Sequence, residues 1–144
     1  LKAGPLTEAE MEIMRSHADT GAATIRSVIE RTPGAHFLSV AEQIAHSHHE
    51  WHNGCGYPQG LSGDQIPLPA RIAAVADVYD ALTSRRAYKD AVVHEQAAAI
   101  IIGSSGAQFD PDVVAAFQCC QEEFKRLSEE LQDSPAEMET PILI

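Results

Sequence analysis

The chain has 144 residues, 44% hydrophobic and 22% charged, and its 21 acidic and 10 basic side chains give a net charge of −11. This length fits one domain with a sizeable core. No apolar run is long enough to span a bilayer, and no basic stretch followed by an apolar one marks a secretion signal. Nucleic-acid polymers are bound mainly through Lys and Arg, so the acidity argues against such a partner.

Cysteine content and charge distribution bear on compartment and domain organisation. Three cysteines, two of them adjacent at Cys119 and Cys120, cannot form an even disulfide framework, so we expect a cytoplasmic protein. Residues 121–144 carry seven acidic and two basic side chains. We therefore expect one domain over residues 1–127 and an acidic tail over residues 128–144, which begins as a solvated helix end and continues as a disordered segment.

Apolar periodicity predicts an all-α fold of about five helices, because no convincing alternating strand pattern occurs. The expected helices cover residues 7–31, 38–47, 67–84, 93–102 and 110–131. Thr7 and Glu10 form a capping-box pattern at the start of the first helix, and Asp110 followed by Pro111 suits the start of the last. The apolar face expected on the first helix comprises Met11, Met14, Ala18, Ala22, Ile25 and Ile29. The Gly-rich residues 51–63 form a long loop, and such loops are often functional.

Four of the seven histidines fall within residues 46–52, and His17 lies on the first predicted helix. Imidazole is a common metal ligand, and Asp77 would add an oxygen ligand from another helix. Neighbouring helical residues point about 100° apart, so the pair His48 and His49 would serve two ions more easily than chelate one. Such ligands suit iron, manganese, zinc or nickel without choosing among them. Histidines that bind no metal are the alternative.

A cluster of three cations, Arg85, Arg86 and Lys89, follows the third predicted helix. It could complement the negative end of the helix dipole. It could equally bind an anion, because Arg and Lys both recognise phosphate oxygens.

The order of these motifs resembles HD-GYP domains, a subgroup of the HD metal-dependent phosphohydrolases that hydrolyse the bacterial messenger cyclic di-GMP. The resemblance covers about residues 1–125. It is carried by His48-His49-Glu50 and by residues 54–61, 71–84, 86–89, 109–111 and 6–17. It implies an HD-domain-like helical bundle that acts in bacterial signal transduction.

The resemblance also implies site residues and cofactors. The implied ligands of two or three divalent metal ions, iron, manganese or similar, are His17, His48, His49 and Asp77. Of these, His48, His49 and Asp77 would be catalytic through a metal-activated water, whose pKa the metal lowers. The implied substrate contacts are Tyr57 and Pro58 in the loop and Arg86 and Lys89 at the phosphates. Bound cations would let an acidic protein receive an anionic substrate.

The sequence departs from the family pattern at one central point, because it contains no His-Asp dipeptide. In the family, the stretch that residues 1–4 resemble follows directly after the His-Asp pair. We therefore expect the chain to be the C-terminal portion of an HD-GYP domain, with weaker metal binding than a complete site. Asn53 and Ala87 stand where the family more often has Asp and Pro.

Three functions compete on this sequence. The first is hydrolysis of cyclic di-GMP, with the dinucleotide or its linear product as ligand, by a protein of which this chain is a portion. The second is a catalytically inactive module that binds a protein such as a diguanylate cyclase. The third is hydrolysis of another nucleotide. An upstream receiver or sensor domain is expected, and uncovered apolar helix faces could support a homodimer.

Overall fold

The computed structural model describes residues 7–84 and 91–132. Across these ranges it contains six α-helices, two short 3-10 helices at Ala35–Leu38 and Gly63–Gln65, and no β-strand. The α-helices are α1 (Glu8–Arg15), α2 (His17–Arg31), α3 (Ser39–Ser47), α4 (Leu68–Thr83), α5 (His94–Gly103) and α6 (Pro111–Gln132). The predicted all-α class is confirmed. Within the described ranges no helix combines the length and apolar character needed to cross a membrane.

The first predicted helix is in fact two helices, which meet at Ser16. The Ser16 hydroxyl donates to the carbonyl oxygen of Ile13 at 2.7 Å, and Nδ1 of His17 donates to that of Met14 at 2.6 Å. These side-chain donors take carbonyls that an uninterrupted helix would use for its own amides, which favours a break here. The predicted capping box at Thr7 is present.

The apolar face predicted for this segment is only partly buried. Ala18 and Ala22 on α2 are buried, whereas Met11 and Met14 on α1 are 39% and 52% exposed. Helix α1 buries no residue of its own and, in the described part of the chain, packs mainly along α2. The short helix α1 therefore lies on the surface, beside the first turn of α2.

The hydrophobic core lies between α4, α5 and α6. Tyr79 of α4 contacts Phe117 and Phe124 of α6 at ring-centroid distances of 6.0 and 5.2 Å, and the two phenylalanines are 5.1 Å apart. The contacts of Phe124 with the other two rings are edge-on, and such contacts add to the free energy of area burial. Helix α3 packs against both α2 and α4, so it connects the first helices to this core.

Helix α6 extends to Gln132, so the first five residues of the predicted tail continue the helix. The remaining predicted tail, residues 133–144, lies outside the described residues, and the boundary at residue 127 stays a prediction. All three cysteines are free and exposed.

Candidate metal centre

Three imidazoles converge where α2 begins and α3 ends. One ligand atom each from His17, His48 and His49 lies within 4.8 Å of the others, and the Nε2 atoms of His17 and His49 are 3.1 Å apart. The ring centroids of His48 and His49 are only 4.0 Å apart. That this pair serves two ions more easily than it chelates one stays a prediction.

Backbone carbonyls orient two of these rings. Nδ1 of His17 donates to the carbonyl of Met14, and Nδ1 of His48 donates to that of Ile44 at 2.9 Å. Because a carbonyl oxygen only accepts, each Nδ1 carries a proton, and in the neutral ring Nε2 is then the nitrogen with a free lone pair. Metal-binding histidines are typically held by such a second hydrogen bond.

The protonation state of His49 also suits a metal ligand. Its pKa is lowered to about 4, first by burial and then by the charges of His48 and His17. The ring is therefore neutral at pH 7, as metal coordination requires. The charge of Asp77 opposes this shift, which places its carboxylate within electrostatic reach of His49.

The donor set fits a divalent transition-metal ion. Metal–nitrogen bonds are about 2.1 Å long for zinc, so two ligands of one ion can lie up to roughly 4.2 Å apart. The 3.1 Å between Nε2 of His17 and Nε2 of His49 satisfies this limit. Among the described residues the converging group comprises the three histidines and not Asp77. The role of Asp77 as a metal ligand stays a prediction.

The Gly-rich loop returns to this cluster through Tyr57. The Tyr57 ring stacks on the His49 ring at 4.7 Å and 27°, and its amide donates to the His49 carbonyl at 3.1 Å. Burial raises the pKa of the Tyr57 phenol, against the opposing charge of Arg15, so the phenol stays protonated at neutral pH. Pro58, the other loop residue predicted to meet the substrate, lines a cleft beside Tyr57.

Gly56 makes this return possible. A Cβ atom there would lie 2.3 Å from the amide nitrogen of Trp51, 2.5 Å from the carbonyl oxygen of His49 and 2.6 Å from Cα of Glu50. All three are backbone atoms, which cannot rotate away. Only glycine fits at this crossing of the loop over the end of the histidine segment.

Glu50 holds the rest of the loop, a role that the sequence reasoning missed. Its carboxylate is 3% exposed and accepts the amides of Gln59 at 2.7 Å and Leu61 at 2.9 Å. Buried loop amides need partners, and a buried carboxylate supplies two acceptor oxygens. The signal available in the sequence was an acidic residue directly before a long Gly-rich loop.

A second polar cluster fixes the far side of the loop. The amides of His52 and Asn53 each donate at 3.0 Å to carbonyls of residues 107–108. Asp110, 6% exposed, accepts from Nη1 of Arg71 at 2.6 Å and caps α6. Burial alone would raise the pKa of Asp110, but the hydrogen bonds from Arg71 and from the α6 amides outweigh it and lower the pKa.

Arg86 and Lys89, predicted to bind the substrate phosphates, fall in residues 85–90, outside the described residues. The structure therefore brings together His17, His48, His49 and Tyr57, with Asp77 and Pro58 nearby. It leaves the cationic cluster undescribed.

Comparison with known proteins identifies the family. A family model described as an HD domain matches residues 1–113. The chain belongs to the HD domain family. Metal binding is implied by this family, in agreement with the histidine cluster, and the predicted resemblance to HD-GYP phosphohydrolases is confirmed.

Relatives of this HD domain are cyclic-dinucleotide phosphodiesterases. It is 45% identical over 135 residues to a cyclic di-GMP phosphodiesterase of Vibrio cholerae, covering 93% of this chain and 27% of that protein. It is 46% identical over 116 residues to the cyclic di-GMP phosphodiesterase response regulator RpfG of Xanthomonas campestris, covering 81% and 29%. A crystal structure of a cyclic GMP-AMP specific phosphodiesterase of V. cholerae matches with a TM-score of 0.61 and 26% identity over 91% of this chain and 30% of that one. The chain thus spans less than a third of the length of these relatives.

Proposed function

We propose that the parent protein, of which this chain is a portion, hydrolyses cyclic di-GMP at its phosphodiester bonds in bacterial signalling. The observation that carries this proposal is the convergence of His17, His48 and His49 beside the loop residue Tyr57. The names of the relatives give the substrate class. An inactive module that binds a diguanylate cyclase remains the competing function.

In this proposal each group of residues has a distinct task. The three histidines and Asp77 hold two or three divalent ions, iron or manganese, which when bound would supply a water of lowered pKa. Tyr57 and Pro58 contact the substrate, and Arg86 and Lys89 bind its phosphates. The neutral His49 ring and the backbone-anchored rings of His17 and His48 keep the ligand set in place. An upstream sensor or receiver domain, a homodimer and a cytoplasmic location stay predictions.

Metal binding tests the first half of the proposal. Purified protein is dialysed against Mn²⁺, and bound metal is measured by mass spectrometry for the wild type, His17→Ala and His49→Ala. His36→Ala is the matched control, because His36 is exposed on the 3-10 helix before α3. We expect the first two variants to bind Mn²⁺ at least tenfold more weakly and the control to match the wild type. Equal binding by all four proteins would refute the metal centre.

Turnover tests the second half. The Mn²⁺-loaded protein is incubated with cyclic di-GMP, and the linear product is separated by chromatography. Because this sequence contains no His-Asp dipeptide, the assay uses the parent protein that includes it. We expect product from the wild-type parent protein and from its His36→Ala variant, and none from its His49→Ala variant. Binding of the dinucleotide without hydrolysis would favour the inactive module instead.

A further inference from the structure

Arg15 lies at the end of α1, directly beside the candidate metal centre. Its Cζ atom lies 5.4 Å from the centroid of the Tyr57 ring, a cation–π distance. Within residues 7–84 and 91–132 its guanidinium has no ion pair or hydrogen bond. The side chain is therefore positioned by Tyr57, and no residue in the described ranges takes up its five N–H donors.

Arg15 also lines a cleft of 730 Å³ between α1 and the loop. The charged residues that line this cleft are Glu8, Glu12, Arg15 and Asp19, and the loop contributes Tyr57 and Pro58. Glu8, Glu12 and Arg15 share one face of α1, because they are spaced four and three residues apart. Asp19 is paired with Nε2 of His46 at 3.0 Å, which leaves Glu8 and Glu12 as the carboxylates beside Arg15.

One cation beside two carboxylates favours binding of a base of a cyclic dinucleotide over binding of its phosphate groups. A phosphate in this cleft would meet Glu8 and Glu12 as well as Arg15, and like charges would repel. A guanine base is neutral and carries both acceptors for an Arg side chain and donors for a carboxylate. Its O6 and N7 atoms accept two hydrogen bonds from one Arg, and its N1–H and N2–H groups donate to a carboxylate. Adenine presents an amino group in place of O6 and would direct a donor at the guanidinium.

We propose that Arg15 recognises a guanine base of the substrate and makes the protein prefer guanine over adenine dinucleotides. This inference rests on the proposed function, since it assumes a cyclic dinucleotide beside the metal centre. Arg15 donates to O6 and N7, and Glu12, one turn earlier on the same face, accepts from N1–H and N2–H on the adjoining Watson–Crick edge.

Equilibrium binding to three dinucleotides tests the proposal. The affinities of cyclic di-GMP, 3'3'-cGAMP and cyclic di-AMP are measured by calorimetry for the wild type, Arg15→Met and Glu12→Gln. Arg31→Met is the matched control, because it removes the same charge at the C-terminal end of α2, away from the cleft. Thermal melting of each variant verifies folding, which we expect to be unaffected because α1 buries no residue.

We expect Arg15→Met to weaken cyclic di-GMP binding about ten- to a hundredfold and cyclic di-AMP binding less than threefold, so that the preference for guanine collapses. Glu12→Gln should weaken cyclic di-GMP by a smaller factor, and Arg31→Met should match the wild type. Equal weakening of all three ligands by Arg15→Met would identify a phosphate contact and overturn base recognition, as would an unchanged preference. A wild type that binds none of the dinucleotides would refute the proposed function itself.

Discussion

Replacing Gly56 by alanine should damage both the stability of the domain and its candidate site. The added Cβ atom would lie within 2.6 Å of three backbone atoms, so the loop or the histidine segment has to move. Movement breaks the hydrogen bond from the Tyr57 amide to the His49 carbonyl and separates the two stacked rings.

The cost can be estimated from these contacts. Overpacking in a filled region costs about 1–3 kcal/mol, and the lost hydrogen bond costs about 1 kcal/mol. We expect the free energy of unfolding to fall by roughly 3 kcal/mol, which lowers Tm by about 6–12 °C in a chain of this size. Gly103→Ala is the matched control, because a Cβ there meets nothing within 4 Å. On α5 that change should be neutral or stabilise by up to about 1 kcal/mol.

Urea denaturation and thermal melting of both variants measure the difference, and Mn²⁺ dialysis measures the site. Gly56→Ala should melt well below Gly103→Ala and bind Mn²⁺ more weakly, because His49 loses the contacts that orient it. If the two variants have the same Tm, the tight crossing at Gly56 does not exist in solution and the reasoning fails.

Two further predictions concern the polar groups that hold the loop. Asp110→Asn should lower the free energy of unfolding by about 2–3 kcal/mol, because a charged hydrogen bond to Arg71 is lost. The lowered pKa of Asp110 means that its stabilisation is complete above the unfolded-state pKa near 4 and is lost as pH falls towards the folded-state pKa. Urea denaturation between pH 2.5 and 6 should therefore show a steeper decline for the wild type than for Asp110→Asn, and parallel curves would contradict this assignment. Glu50→Gln replaces one acceptor by a donor, so the amide of Gln59 or Leu61 should exchange with D₂O about tenfold faster, equivalent to about 1.4 kcal/mol. Unchanged exchange of both amides would show that the carboxylate does not hold the loop.

The fold could be predicted largely from local patterns. Periodicity and caps placed the four later helices within a few residues, because each has an apolar face, and a turn residue or a favourable cap marks its ends. The break at Ser16 could not be predicted this way. It depends on the hydroxyl of Ser16 and the imidazole of His17 binding backbone carbonyls, which periodicity does not report.

The histidine cluster was predicted in composition but not in geometry. Counting residues along a helix separates His48 and His49 by about 100° but does not report their approach to His17, which depends on how α2 and α3 pack together. The pairing of Tyr57 with His49 depends on how the loop closes, since eight residues separate the two rings along the chain. The contacts of Glu50 depend on the same closure, so they could be found only in three dimensions.

The loop is held from two sides, and this ties the site to the core. Glu50 and Gly56 fix the half of the loop that faces the histidines. The start of the loop is held by carbonyls of residues 107–108, which accept the amides of His52 and Asn53. Asp110 follows closely along the chain, places its Oδ2 atom 4.0 Å from Nδ1 of His52, pairs with Arg71 of α4 and caps α6, so this side of the loop meets the elements that frame the core. A substitution at Asp110 should therefore reach His49 through the backbone of the loop, without touching the imidazole cluster. Weaker Mn²⁺ binding by Asp110→Asn than by the wild type, at a pH where both are fully folded, would demonstrate this coupling.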